Sequence, residues 1–156
     1  MEKVLDAIKE FFCNYMLISA IIGWFLAQVI KIFTNLFVKK KFDIRMLFSN
    51  GGMPSSHVAS VVSLTTAALI LHGVGSSLFA ICAILSVIVM NDASGVRYET
   101  GKQAVLLNKI AKEFFSHDSE HKNHALKELV GHTPLQVFMG FLLGIGVAIA
   151  LSFIML

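Results

Sequence analysis

The sequence predicts an all-α integral membrane protein: a bundle of about four transmembrane helices plus an amphipathic interfacial helix. Three observations carry this reading. The 156 residues are 56% hydrophobic and only 15% charged, against about 45–50% and about 25% in soluble domains, and the mean hydropathy is +0.74. Charge-free apolar stretches recur along the chain, and the basic residues cluster between them on alternate connections. So apolar a chain is not disordered, and two Pro and two Cys exclude collagen-like and disulfide-stapled classes. The length suits a single membrane domain over residues 1–156.

The first ten residues, Met1–Glu10, mix three acids with two lysines. With the long apolar run that follows, they do not read as a cleaved signal peptide. Val4, Leu5 and Ile8 suggest a short interfacial lead-in. Residues 11–30 then form a charge-free stretch of the twenty residues needed to cross a core of roughly 30 Å. A second stretch, 58–71, is short for a span unless the preceding turn, Met53–His57, lies at membrane depth. The third covers 74–90 and the fourth 134–156, with Pro134 suited to a first helical turn. Each must be helical, because lipid offers backbone groups no hydrogen-bonding partner. Cys13 and Cys82 both fall in apolar stretches and read as packing thiols.

Of the thirteen Lys and Arg, two lie in the N-terminal tail, five between Lys31 and Arg45, and six between Arg97 and Lys127. The positive-inside rule therefore places residues 31–57 and 91–133 in the cytoplasm and both termini on the opposite side. The basic residues sit beside spans without an aromatic-basic surface motif, so nucleic acid is not an expected partner. The bilayer is, and a homodimer is compatible with so small a bundle.

This topology collects unusual polar residues on one membrane face: Lys31, the run Gly51–His57, the run Asn91–Arg97, and Gly131–Pro134. Gly52, Ser55 and Ser56 at a helix start offer N–H groups and hydroxyls to an anion. Lys31 and Arg97 suit phosphate oxygens. His57 and His132 could divide the roles of nucleophile and general acid. Phosphoryl transfer needs this set and no cofactor or metal.

The Pro54-Ser55-Ser56-His57 run is similar to the P-S-G-H signature of the type 2 phosphatidic acid phosphatase and vanadium haloperoxidase superfamily, and His132–Gly140 to its H-x-x-x-D-V-x-x-G element. The whole chain more closely resembles the divergent branch of the type 2 phosphatidic acid phosphatase family. Matching stretches include Gln28–Lys31, Gly51–His57, Asp92–Arg97, Gly101–Ala104, Leu107-Asn108 and Leu126–Gly140. The resemblance implies a membrane phosphohydrolase acting on a lipid phosphate or pyrophosphate, in a bacterial plasma membrane. It implies that His132 attacks phosphorus, His57 protonates the leaving oxygen, and Arg97 binds phosphate. Lys31, or Lys39 with Arg45, would stand for the first-motif lysine, and Ser55 and Ser56 would add contacts. Lys102 joins the expected substrate-binding set.

The chain departs from the family pattern at several points. Ser56 replaces a glycine, and Tyr98 stands where the divergent branch usually has a second arginine. Gln136 takes the position of the acid that orients the nucleophilic histidine, so Asp92 would have to supply that charge. Thirty-four residues lie between Arg97 and His132 where the superfamily has five, so the intervening chain must fold back. These departures motivate an alternative: a catalytically degenerate member that binds phosphorylated lipid or acts as a membrane scaffold. A transporter would want ionisable groups at mid-span, and the four stretches carry none there. Within 101–131, Val105, Leu106, Ile110 and Phe114 recur at helical spacing and predict the amphipathic helix. His117, His121 and His124 have the spacing of a helical metal site but read as a solvated polar face.

Overall fold

The structure, a computed structural model, describes residues 1–39, 52–114, 126 and 131–156. The sequence-stretch residues Arg45, Gly51, His117, His121 and His124 lie outside them. All regular structure among the described residues is helical. The order is α1 (Glu2–Cys13), α2 (Tyr15–Lys39), α3 (Ser56–His72), α4 (Ser77–Asn91), a π-helical turn (Asp92–Val96), α5 (Arg97–Phe114) and α6 (Pro134–Met155). Three helical segments are long and apolar enough to cross a membrane: Tyr15–Phe37, Ser77–Glu113 and Pro134–Met155. The shorter apolar helix α3 completes an integral membrane bundle.

The first apolar stretch is arranged differently from the expected 11–30. Asn14 adopts an extended conformation and its side-chain oxygen accepts from the Leu17 N–H at 3.1 Å. Asparagine is a favoured N-cap, so the chain breaks there and Phe11–Cys13 belong to α1. That helix exposes Val4, Leu5, Ile8, Phe11 and Phe12 and buries none of its residues. At its other end α2 does not stop at Lys31, because Ile32, Phe33, Leu36 and Phe37 continue the apolar pattern. Lys31 is therefore enclosed within the helix bundle and fully buried, which excludes the snorkelling lysine that ends a span.

Helix α3 is the centre of the bundle, packed against α2, α4 and α6. Small residues make this possible. A Cβ at Gly144 would stand 2.7 Å from the Ala59 carbonyl oxygen, one at Gly140 would stand 2.6 Å from that of Ser55, and one at Gly23 would stand 3.0 Å from Ala59. Small residues four apart let backbones approach where lipid provides no hydrophobic drive for helix association. The stripes are Ser19, Gly23 and Ala27 on α2, Ser55, Ala59 and Ser63 on α3, and Gly140, Gly144 and Ala148 on α6.

Hydroxyls lock these contacts. Ser63 donates to the Ser19 carbonyl at 2.8 Å, and Tyr15 to that of Ala148 at 2.7 Å. Thr65 reaches both the Cys82 carbonyl at 2.9 Å and the Ser86 hydroxyl at 2.8 Å. Cys82 is buried and Cys13 exposed, both as free thiols.

No loop separates α4 from α5. The π turn joins them, and the amphipathic sequence after span three continues the same helical run. Twenty residues from Ser77 to Val96 rise about 30 Å, as much as a hydrocarbon core is thick.

Candidate functional site

Four segments converge at one end of the bundle. The turn Gly52–Ser55 is wedged between α2 and α6: Thr34 donates its hydroxyl to the Met53 carbonyl at 2.8 Å, and the Ser55 N–H donates to the Gln136 carbonyl at 3.0 Å. Gly52 has φ 104°, a conformation glycine adopts without a Cβ penalty. Pro54, Ser55 and Ser56 are buried, and His57 opens the first turn of α3 with an exposed side chain. Irregular backbone is tolerated at membrane depth only where protein covers it, and here α2 and α6 supply the cover.

The return of the chain to this end is built on three contacts along the π turn and α5. Asn108 pairs in both directions with the Leu126 backbone, each bond at 2.9 Å. A Cβ on Gly131 would collide with the Tyr98 backbone and the Arg97 carbonyl carbon, so only glycine fits there. The His132 N–H donates to the Ala93 carbonyl at 3.0 Å. Leu126, Gly131 and His132 thus run antiparallel to Asn108, Tyr98 and Ala93. This pairing closes the 34-residue separation and brings His132 back to the arginine end of the π turn.

His132 is 3% exposed, and among the described residues neither ring nitrogen has a hydrogen-bond partner. Burial pushes its pKa down to about 4, and the positive charges of Lys31, His57 and Arg97 push the same way. The imidazole is therefore neutral at pH 7. A neutral, buried ring beside Lys31 and Arg97 is suited to attack an electrophile that carries negative charge. The Ser55 hydroxyl and Gln28 Oε1 are also buried without a hydrogen-bond partner among the described residues.

The two groups expected to orient the histidine are engaged elsewhere. Gln136 Oε1 accepts from the Thr133 N–H at 3.0 Å, while the Thr133 hydroxyl accepts from the Gln136 N–H at 3.4 Å. This capping box satisfies the first N–H groups of α6, so the amide turns back on its own helix instead of toward His132. Asp92 pairs with Arg97 Nε, five residues on, where the wider π turn brings the two side chains together. Ser55 cannot offer its N–H to an anion, since Gln136 holds it, and only its hydroxyl is available.

Lys102 is not gathered into the cluster. It is exposed, paired with Glu99 at 2.8 Å and stacked over the Tyr98 ring at 4.5 Å. Lys31, Ser55, Ser56, His57, Asp92, Arg97 and His132 do come together at this end. Sequence reasoning passed over Gln28 and Asn35, both buried on α2. Their spacing from Lys31, three residues before and four after, is the signal that puts them on its face.

The chain matches the Divergent PAP2 family over residues 12–147. It is also similar to an uncharacterized membrane protein of Bacillus subtilis, YuiD, with 42% identity over 154 residues covering 92% of this chain and 98% of the relative. No solved structure matches.

Proposed function

The chain belongs to the divergent PAP2 family, and from that premise we propose that it is a membrane phosphohydrolase acting on a lipid phosphate or pyrophosphate. The observation that carries this reading is His132, buried, neutral and without a hydrogen-bond partner on either nitrogen among the described residues, beside Lys31 and Arg97. A ring nitrogen of His132 attacks phosphorus and the bond to the lipid oxygen breaks. His57 gives its proton to that leaving oxygen. His57 then takes a proton from water, the resulting hydroxide attacks phosphorus, and the P–N bond breaks to release phosphate and restore His132. Lys31, Arg97 and the Ser55 hydroxyl offset the charge on the equatorial oxygens. No cofactor takes part. The head group sits at the cytoplasmic face, where the positive-inside rule puts the Lys31 and Arg97 ends of the helices, and the membrane is the bacterial plasma membrane.

A second reading is favoured by one observation: neither Gln136 nor Asp92 is turned to His132. A histidine without an orienting acceptor fits a protein that binds phosphorylated lipid without turning it over.

Phosphate release by the purified protein in detergent, with EDTA present, separates the two. Phosphatidate, phosphatidylglycerol phosphate and a polyprenyl pyrophosphate form the panel, with His57→Ala and His132→Ala as controls. The enzyme reading expects release on at least one substrate, inhibition by vanadate as a transition-state mimic, and a loss of about 10³-fold or more in His132→Ala. Head-group binding with no release from any of the three would sink the enzyme and leave the binder.

A further inference from the structure

Helices α2 and α6 border an open apolar groove of about 580 Å³ whose lining reaches Ile30 and Pro54, the sequence neighbours of the site residues Lys31 and Ser55. One wall is the stripe Ile22, Leu26 and Ile30 on α2, and the floor is Leu142, Gly146 and Ala150 on α6. At the site end it is lined by Thr34, Met53 and Pro54, the residues that hold the turn carrying Ser55. Among the described residues lining it, the Thr34 hydroxyl is the one side-chain polar group, and it already donates to the Met53 carbonyl. Gly146 leaves the floor open, since a Cβ there would meet nothing within 4 Å. The small-residue face of α6 that packs on α3, Gly140, Gly144 and Ala148, is the opposite one.

We propose that this groove seats one hydrocarbon tail of the phosphorylated lipid whose head group lies at His132. Two observations select that occupant. The first is adjacency: the groove's site end is lined by the Met53–Pro54 turn, one residue from Ser55. The second is length. The wall from Ile22 to Thr34 covers twelve residue steps, about 18 Å of helix, and one leaflet of a core of roughly 30 Å is about 15 Å deep. A tail that starts at the site face and runs down one leaflet fills the groove from end to end. A tail already in lipid gains little hydrophobic energy by moving onto protein, so the groove acts on position. It sets the depth at which the phosphate is held relative to His132, and misplacement by about 1 Å costs a reacting centre on the order of 10²-fold.

This assignment rests on the phosphorylated-lipid reading of the site, and its test is independent of turnover. The full-length protein in nanodiscs is irradiated with a phosphatidate carrying a diazirine midway along one tail, and in parallel with a phosphatidylcholine bearing the same tail. The phosphatidate probe is expected to label the Leu142–Ala150 peptide about tenfold more than the phosphatidylcholine probe. Orthovanadate and the groove-filling variant Gly146→Leu should each remove that excess, with Ala150→Leu as a second filler should the first fail to fold. Equal labelling by the two probes means ordinary bilayer lipid and overturns the proposal. Absence of label from this peptide overturns it too, as does a protein–protein cross-link from a second copy. Head-group-dependent labelling without phosphate release would keep the groove and sink the hydrolase. Release with head-group-indifferent labelling would do the reverse.

Discussion

The backbone N–H of His132 is hydrogen-bonded to the carbonyl of Ala93 at 3.0 Å, which ties the segment before α6 to the π turn that ends at Arg97. Sequence-distant parts are thereby fixed by main-chain bonding, and the side chains follow. The Arg97 guanidinium is paired with Asp92, and the His132 ring is buried.

Because the folded state holds the His132 pKa at about 4 against about 6.5 in an unfolded chain, the unfolded chain binds more protons between these values. Stability therefore falls as the pH drops from about 6.5 to about 4 and levels off below, a loss on the order of 3 kcal/mol. The groups facing the ring, Lys31 on α2, His57 on α3 and Arg97 on α5, all favour its neutral form. Thermal unfolding in detergent across this range should show a slope that His132→Gln flattens. The acid limb of kcat/KM, which reports the free enzyme, should lie well below pH 6; a limb at the ordinary histidine value would contradict the buried ring.

Gly131→Ala should be among the most damaging single-methyl changes in the chain. Its Cβ runs into the Tyr98 backbone, which has no flexible end to move aside, so the strand-like return must retract and carry His132 with it. Overpacking of this kind costs about 1–3 kcal/mol. Gly95→Ala, whose Cβ meets nothing within 4 Å, is the matched control. Thermal stability and phosphate release should both fall in the first variant, and stability should hold in the second.

Gly140→Ala places a methyl group 2.6 Å from the Ser55 carbonyl oxygen and should separate α3 from α6 at the site end. The expected cost is again about 1–3 kcal/mol. Gly146→Ala on the same helix meets open space and, by helix propensity, should be neutral or stabilising. Differential scanning of the two proteins in one detergent reads the contrast, and equal stabilities would argue against the close α3–α6 approach.

Gln136→Ala removes one half of the α6 capping box and should cost about 1 kcal/mol of stability. Gln136→Glu keeps the box, since Glu at this position serves the N-cap equally. If Gln136 acts only as a cap, the Glu variant should leave the His132 titration, followed by NMR, where it is. A rise in that pKa would mean the carboxylate reaches the ring.

Helical class, membrane residence and the family were legible in residue composition and local motifs, because hydropathy is summed over neighbours in sequence. So was the gathering of Lys31, Pro54–His57, Asp92–Arg97 and His132 at one end, since the basic residues cluster on alternate connections and the positive-inside rule puts those connections on one face. The break at Asn14 and the Gly140–Gly144 packing face had local signals, an N-cap residue and small residues four apart, but the expected 11–30 span runs straight through Asn14. What only the tertiary structure decided was how shared partners are allotted. Gln136 has one side-chain oxygen, and the Thr133 N–H at the start of α6 takes it; Asp92 lies five residues before Arg97, and the π turn joins them. Whether Lys31 snorkels or is enclosed depends on which helices cover α2, and α3 and α6 meet closely only because Gly140 and Gly144 of α6 let the backbones approach. Such allocations depend on distances between elements far apart in the chain, and those distances exist only once the helices have packed.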